Sequence, residues 1–176
     1  IYAHGTLENK ITFDGGGNSN FFNVRNSDKN TFLDLDYCII KNGGRFWDLS
    51  GGVGCGPFSL KHSELIDVGG AYVWYPKGDV HIEYNEFINT GGITTGIGDE
   101  DVEVFIKYNL FKQITSPIQN NRDYFEEAGT IVKYNSFSDV DGYILALGCT
   151  GLAVNMSATE NYWGTLDTDL IDSKIY

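Results

Sequence analysis

The residues best suited to chemistry are few and scattered. The densest acidic cluster is Asp99, Glu100, Asp101 and Glu103, at the start of a strand expected over Val102–Ile106. Strand alternation puts Asp101 and Glu103 on the exposed face, and Asp34 and Asp36 likewise earlier in the chain. Calcium takes about six to eight oxygens, usually from a loop that folds around it. The stretch Gly96-Ile97-Gly98-Asp99-Glu100-Asp101 has the carboxylates but lacks the alternating Asp/Asn spacing of a calcium loop. Asp99, Asp101 and Glu103 are therefore the candidate ligands for calcium, set against the plainer expectation of a solvated turn. No cofactor is required by any other feature of the sequence.

A second constellation is aromatic: Ala71-Tyr72-Val73-Trp74-Tyr75-Pro76. Alternation gives Tyr72 and Trp74 one face and Val73 the other. With Val73 inward, both rings are displayed, and large exposed aromatics usually mark a binding surface. Their ligand would be a sugar, whose C–H face packs on an aromatic ring, so Tyr72, Trp74 and Tyr75 are the candidate ligand-binding residues. With the opposite register the same rings fill the core. Phe46 and Trp47, in the Gly-rich stretch Gly43–Gly56, are a second candidate lip. The histidines His4, His62 and His81 are dispersed, and no Ser/His/Asp set follows from their spacing.

These side chains need a scaffold, and the sequence announces one by repetition. Ile82-Glu83-Tyr84-Asn85-Glu86-Phe87 recurs as Ile106-Lys107-Tyr108-Asn109-Leu110-Phe111 and as Val132-Lys133-Tyr134-Asn135-Ser136-Phe137. Weaker copies flank these, giving the column Cys38, Ser63, Asn85, Asn109, Asn135 and Asn161, with steps of 25, 22, 24, 26 and 26 residues. Such a period is too short for a helical-hairpin repeat of about 34 residues or a propeller blade of about 40 or more. Short β segments fill the rest, among them Ala71–Trp74, Ile93–Thr95, Tyr143–Ala146 and Leu152–Met156. Two or three short strands per period describe one turn of a parallel β-helix.

The expected fold is therefore all-β: a single-stranded right-handed parallel β-helix of about seven coils, with a short C-terminal cap. It forms one domain over residues 1–176, expected to be a module of a longer chain because the sequence opens at Ile1 without Met or a signal peptide. Coils stacked about 4.8 Å apart bring equivalent residues into contact. Ile82, Phe87, Ile106, Phe111, Val132 and Phe137 should stack inward, and the Asn column should form a hydrogen-bonded ladder. The alternating charges of Asp36, Lys61, Glu83 and Lys107 fit an exposed face that controls register. His62 replaces Tyr in the aromatic column.

Composition narrows the partners. The net charge is −12 with a pI near 4.4, a surface that repels nucleic acid and anionic membranes. No run reaches the roughly 18 apolar residues of a membrane span, so no membrane insertion is expected. The cysteines Cys38, Cys55 and Cys149 lack Cys-x-x-Cys spacing and read as small buried residues.

The repeat, with its Ile-x-x-Asn-x-Phe core, resembles that of the pectate-lyase-like superfamily. Gly5-Thr6-Leu7-Glu8-Asn9-Lys10-Ile11-Thr12-Phe13 resembles the Gly-Thr-x-x-Asn-Pro-Ile-Thr-Phe element that opens many bacterial and archaeal β-helices, with Lys10 where Pro is usual. Asn161-Tyr162-Trp163-Gly164-Thr165 resembles the Asn-Tyr-Trp-Gly-Thr ending of the same branch, and Trp163 is expected to close the end of the core. The resemblance implies a secreted or cell-surface protein, and this fold hosts many unrelated roles. The hydrolase signatures Asn-Thr-Asp, Asp-Asp, Gly-His-Gly and Arg-Ile-Lys are not in the sequence, and its only arginines are Arg25, Arg45 and Arg122. The leading expectation is a non-catalytic extracellular module that binds polysaccharide or mediates cell-surface contacts. The alternatives are a polysaccharide lyase or glycoside hydrolase, and ice binding, for which Thr94 and Thr95 would need threonine partners on neighbouring coils. Oligomeric state is not addressed by the sequence.

Overall fold

The computed structural model describes residues 1–17, 20–23, 32–48, 57–98, 100–123, 129–148 and 155–176. The chain lays down strands in recurring threes. They are β1 (Tyr2–His4), β2 (Ile11–Asp14) and β3 (Phe22–Asn23), then β4 (Leu33–Asp36), β5 (Cys38–Gly43) and β6 (Trp47–Asp48). Next come β7 (Phe58–Lys61), β8 (Glu64–Val68), β9 (Ala71–Trp74), β10 (Val80–Glu83), β11 (Glu86–Ile88) and β12 (Ile93–Ile97). The last are β13 (Val104–Lys107), β14 (Leu110–Lys112), β15 (Ile118–Asp123), β16 (Thr130–Lys133), β17 (Ser136–Ser138), β18 (Leu145–Leu147) and β19 (Met156–Ser157). A short helix, α1 (Thr168–Asp172), follows, with the Asp167 side chain accepting from its first backbone N–H groups.

Each strand pairs in parallel with its equivalent in the next coil, so the chain is a parallel β-solenoid. Among the described residues the first sheet has seven strands, β1-β4-β7-β10-β13-β16-β19, and the other two have six each, β2-β5-β8-β11-β14-β17 and β3-β6-β9-β12-β15-β18. One apolar core lies between the three sheets. All six repeat positions expected inside are buried there: Ile82, Phe87, Ile106, Phe111, Val132 and Phe137. In the second sheet Phe87, Phe111, Phe137 and Trp163 form one stack, with centroid spacings of 4.5, 5.0 and 5.5 Å. Trp163 ends that stack, as its place in the sequence led one to expect.

The corner between the first and second sheets explains the repeat. Asn85 donates from its backbone N to Asn109 Oδ1, Asn109 to Asn135 Oδ1, and Asn135 to Asn161 Oδ1, each at 2.9 Å. Each side-chain amide also donates to a carbonyl one coil earlier: Asn85 to Leu60, Asn109 to Ile82, Asn135 to Ile106 and Asn161 to Val132. Ser63 continues the ladder with its hydroxyl, which accepts from Cys38 N at 2.9 Å. Cys38 is buried and ends the column without an amide. Cys55 and Cys149 lie outside the described residues.

The residue before each rung turns the corner in the left-handed region: Tyr37, His62, Tyr84, Tyr108, Tyr134 and Glu160 have φ between 46° and 61°. That conformation is unfavourable for bulky side chains. Their rings stack on one another, at 4.8 Å for Tyr37–His62, 5.3 Å for His62–Tyr84, 4.8 Å for Tyr84–Tyr108 and 5.0 Å for Tyr108–Tyr134. Each such contact is worth about 0.5–1.5 kcal/mol, which offsets part of a backbone cost of about 1–3 kcal/mol per residue. At the next corner, where no ring stack forms, the same backbone is taken by Asn42, Asp67, Asn89, Gln113 and Asp139. These are mostly residues for which the left-handed region is easy.

The charged column faces outward. Lys61 pairs with Glu83 at 3.2 Å, whereas Asp36 takes His62 at 2.8 Å and Lys107 lies over the Phe105 ring at 4.1 Å.

The two kinds of corner residue should behave differently on substitution. Asn109→Ala orphans the buried Asn85 N–H and should cost about 1–3 kcal/mol for each group left unsatisfied. Tyr108→Asn trades stacking for an easier backbone and should cost no more than about 1 kcal/mol. Urea denaturation midpoints of the two variants, compared with the parent, check the order.

Candidate functional site

The third sheet decides the register that the aromatic motif left open. Val73 is fully buried and faces the core, so Tyr72 and Trp74 point outward and are half-buried. Their rings are parallel within 8°, with centroids 5.3 Å apart. The Tyr75 ring stands edge-on to Trp74 at 5.2 Å, and the Arg45 guanidinium lies over the Tyr72 ring at 5.4 Å. The cluster is thus locked by its own contacts.

Two glycines make this packing feasible. Gly96 is the register partner of Trp74 on the neighbouring strand. A Cβ there would lie 2.4 Å from carbons of the Trp74 ring, so the indole occupies the space that any side chain would need. Gly98 does the same for Tyr75, whose ring would meet a Cβ at 2.1 Å. Register puts Thr94 and then Gln119 beside Tyr72, adding a hydroxyl and an amide to the same outward column. Nothing in the sequence motif alone pointed to Gly96, Gly98, Thr94, Gln119 or Arg45, because their partnership with the aromatics arises only once coils are stacked.

The other candidates fare unevenly. Phe46, read as a lip, is 0 % exposed and packs against Phe58 and Phe87 inside the core. The physical reason is register: Trp47 pairs with Ala71 at the start of the third sheet, and the residue before it closes the core corner. Asp99 lies outside the described residues. Asp101 and Glu103 are exposed on either side of buried Val102, and the Glu103 N–H donates to Asp79 Oδ1 at 3.0 Å. Among the described residues no group of three or more His, Cys, Asp or Glu side chains is placed to hold a metal ion.

Thr95 is buried, and its hydroxyl meets that of Thr130 at 2.9 Å in the interior, so it contributes nothing to a flat outer hydroxyl row. Cys38 is pushed up in pKa, chiefly by burial, which keeps its thiol protonated and unreactive at neutral pH.

Two features were not anticipated as surfaces. Tyr84, Tyr108 and Tyr134 are 51, 45 and 44 % exposed, so the corner stack forms an outer ribbon. Its ring faces are occupied by one another, leaving edges and hydroxyls outward, and Glu160 accepts a hydrogen bond from Tyr134, which raises that phenol's pKa. This geometry suits a structural ladder and leaves no free ring face for a ligand along its length. The second feature is a cleft of about 280 Å³ beside the first sheet, lined by Phe32, Leu33, Asp34, Pro57, Phe58, Ser59, Asp79 and His81. Its residues share no motif and come together only through stacking.

A methyl group on Gly96 tests how the platform is held. Gly96→Ala should displace the Trp74 indole and change the near-ultraviolet circular dichroism of the Tyr72–Trp74 pair, while the far-ultraviolet β spectrum stays as in the parent.

No family model matches the chain, and neither a curated protein nor a solved structure matches it; the solenoid stands on the chain's own repeat and its hydrogen bonding.

Proposed function

We propose that this chain is a non-catalytic glycan-binding module, secreted or displayed at a cell surface, as its resemblance to the pectate-lyase-like superfamily implies. The observation that carries this reading is the outward Tyr72–Trp74 pair, its rings stacked on each other and fixed on the third sheet. A rigid aromatic surface loses little conformational entropy on binding, and preorganisation of this kind is what weak sugar contacts need.

The neighbouring chemistry favours a neutral glycan. Thr94 and Gln119 supply uncharged hydrogen-bonding groups on one side of Tyr72, while Asp48 is its register partner on the other side and the Arg45 guanidinium lies over its ring. A net charge of −12 works against polyanionic chains. Binding without cleavage fits the same set, since glycoside hydrolysis canonically uses a pair of carboxylates flanking the scissile bond.

Retention on immobilised neutral polysaccharides tests the reading. The parent should be retarded on at least one of them, Trp74→Ala should elute with the void, and no reducing sugar should be released. Equal retention of Trp74→Ala, or release of reducing or unsaturated products by the purified chain, would overturn it.

A further inference from the structure

The cleft beside the first sheet combines polar and apolar walls in a way the aromatic platform does not use. Asp34, Ser59 and His81 are register partners on β4, β7 and β10, so their outward side chains form a row one strand apart. Asp34 and His81 are held in place. His4 Nε2 lies 3.1 Å from Asp34 Oδ2, and the His81 ring stacks on Phe105 at 4.9 Å with its Nδ1 3.5 Å from Glu83. Asp79 accepts the Glu103 N–H through Oδ1 at 3.0 Å, which fixes its carboxylate beside the cleft. Phe32, 50 % exposed, and Pro57 supply the apolar side.

We propose that this cleft binds a single neutral pyranose unit. A pyranose has a rim of vicinal hydroxyls and an apolar C–H face. Carboxylates accept from the hydroxyls, the serine hydroxyl and the imidazole both donate and accept, and the phenylalanine ring packs on the C–H face. Two carboxylates in the lining repel phosphates and sugar acids. About 280 Å³ accommodates one sugar ring and no extended chain, which makes a chain end the natural occupant. The proposal deepens the glycan reading and rests on it, yet it concerns a different sheet and a different part of the ligand. The platform would hold the length of a glycan, and the cleft would select its terminal sugar.

Saturation-transfer NMR on the full chain tests this with methyl pyranosides of glucose, galactose, mannose, xylose and N-acetylglucosamine as probes. At least one should receive saturation. Phe32→Ala and Asp34→Asn should each weaken its binding about tenfold, the scale expected for a lost hydrogen bond to a charged group or a lost apolar wall. Thermal melting of the variants shows that they fold.

No transfer to any of the five methyl pyranosides would overturn the cleft assignment, and so would transfer indifferent to both Phe32→Ala and Asp34→Asn. The polysaccharide column separates the two readings. Retention that depends on Trp74 without transfer to the methyl pyranosides removes the cleft and keeps the platform. Transfer that depends on Phe32 and Asp34, with polymer retention indifferent to Trp74, removes the platform and keeps the cleft.

Discussion

Everything in this chain depends on how one corner is closed. At the turn from the first sheet to the second, an asparagine side chain is buried and must find partners or cost about 1–3 kcal/mol for each orphaned group. It finds them above and below: its Oδ1 accepts from the preceding rung, while its Nδ2 donates to a carbonyl of the preceding coil and to the following rung, as at Asn109. Such a group is satisfied only when a rung stands at the same height in the neighbouring coils, an asparagine at most of them and Ser63 beside Asn85. Register is therefore fixed by hydrogen bonding as well as by hydrophobic alternation, and a slip of one residue would leave both unsatisfied. Once the corner is fixed, the residue before it is forced into the left-handed region, and the stacked tyrosines follow as the response to that constraint.

This chain of causes also explains what the sequence reveals. The corner repeats the same chemistry from Asn85 to Asn161, so the Asn column, the inward aliphatics and the phenylalanine stack are all visible as a pattern. The third sheet repeats no residue type. Its inward column runs Val73, Thr95, Asn120, and its outward one Tyr72, Thr94, Gln119. Pattern reading could place Tyr72 and Trp74 on one face and could not say which face, because that depended on whether Val73 or its neighbours met the core. Phe46 was misread for the same reason: a Gly-rich stretch offers no period from which to take a register. Gly96 and the cleft residues Phe32, Asp34, Ser59 and His81 lie too far apart in sequence to be associated without knowledge of which coil sits on which.

The irregular third sheet is also where the interior departs from an apolar stack. Thr95 and Thr130 share a hydrogen bond in the core, and Asn120 donates to the Asn155 carbonyl at 2.8 Å, while Asn120 Oδ1, and Thr90 Oγ1 in the corner before β12, have no partner among the described residues. Such groups cost stability relative to valine or isoleucine at the same place. The regular first and second sheets, whose inward positions are almost uniformly apolar, provide the margin that lets the third sheet vary. A solenoid can divide labour in this way because its stability is a sum over neighbouring coils.

The same nearest-neighbour logic bears on where a binding surface can be built. Strands with a coil on each side bury their inward residues completely, as in β10, where Val80 and Ile82 are both 0 % exposed, whereas Ile11 and Phe13 of β2, at the edge of the second sheet, are only half-buried. Side chains projecting from doubly neighboured strands are held on a rigid base, and small ligands gain most from sites whose groups do not have to be ordered on binding. The Tyr72–Trp74 pair projects from β9, between β6 and β12, and the polar row of the cleft projects from β4, β7 and β10 in the middle of the first sheet. Both surfaces thus stand on strands paired on each side, and each is assembled by register between coils, so the corner ladder that aligns the coils also sets the geometry of the two surfaces.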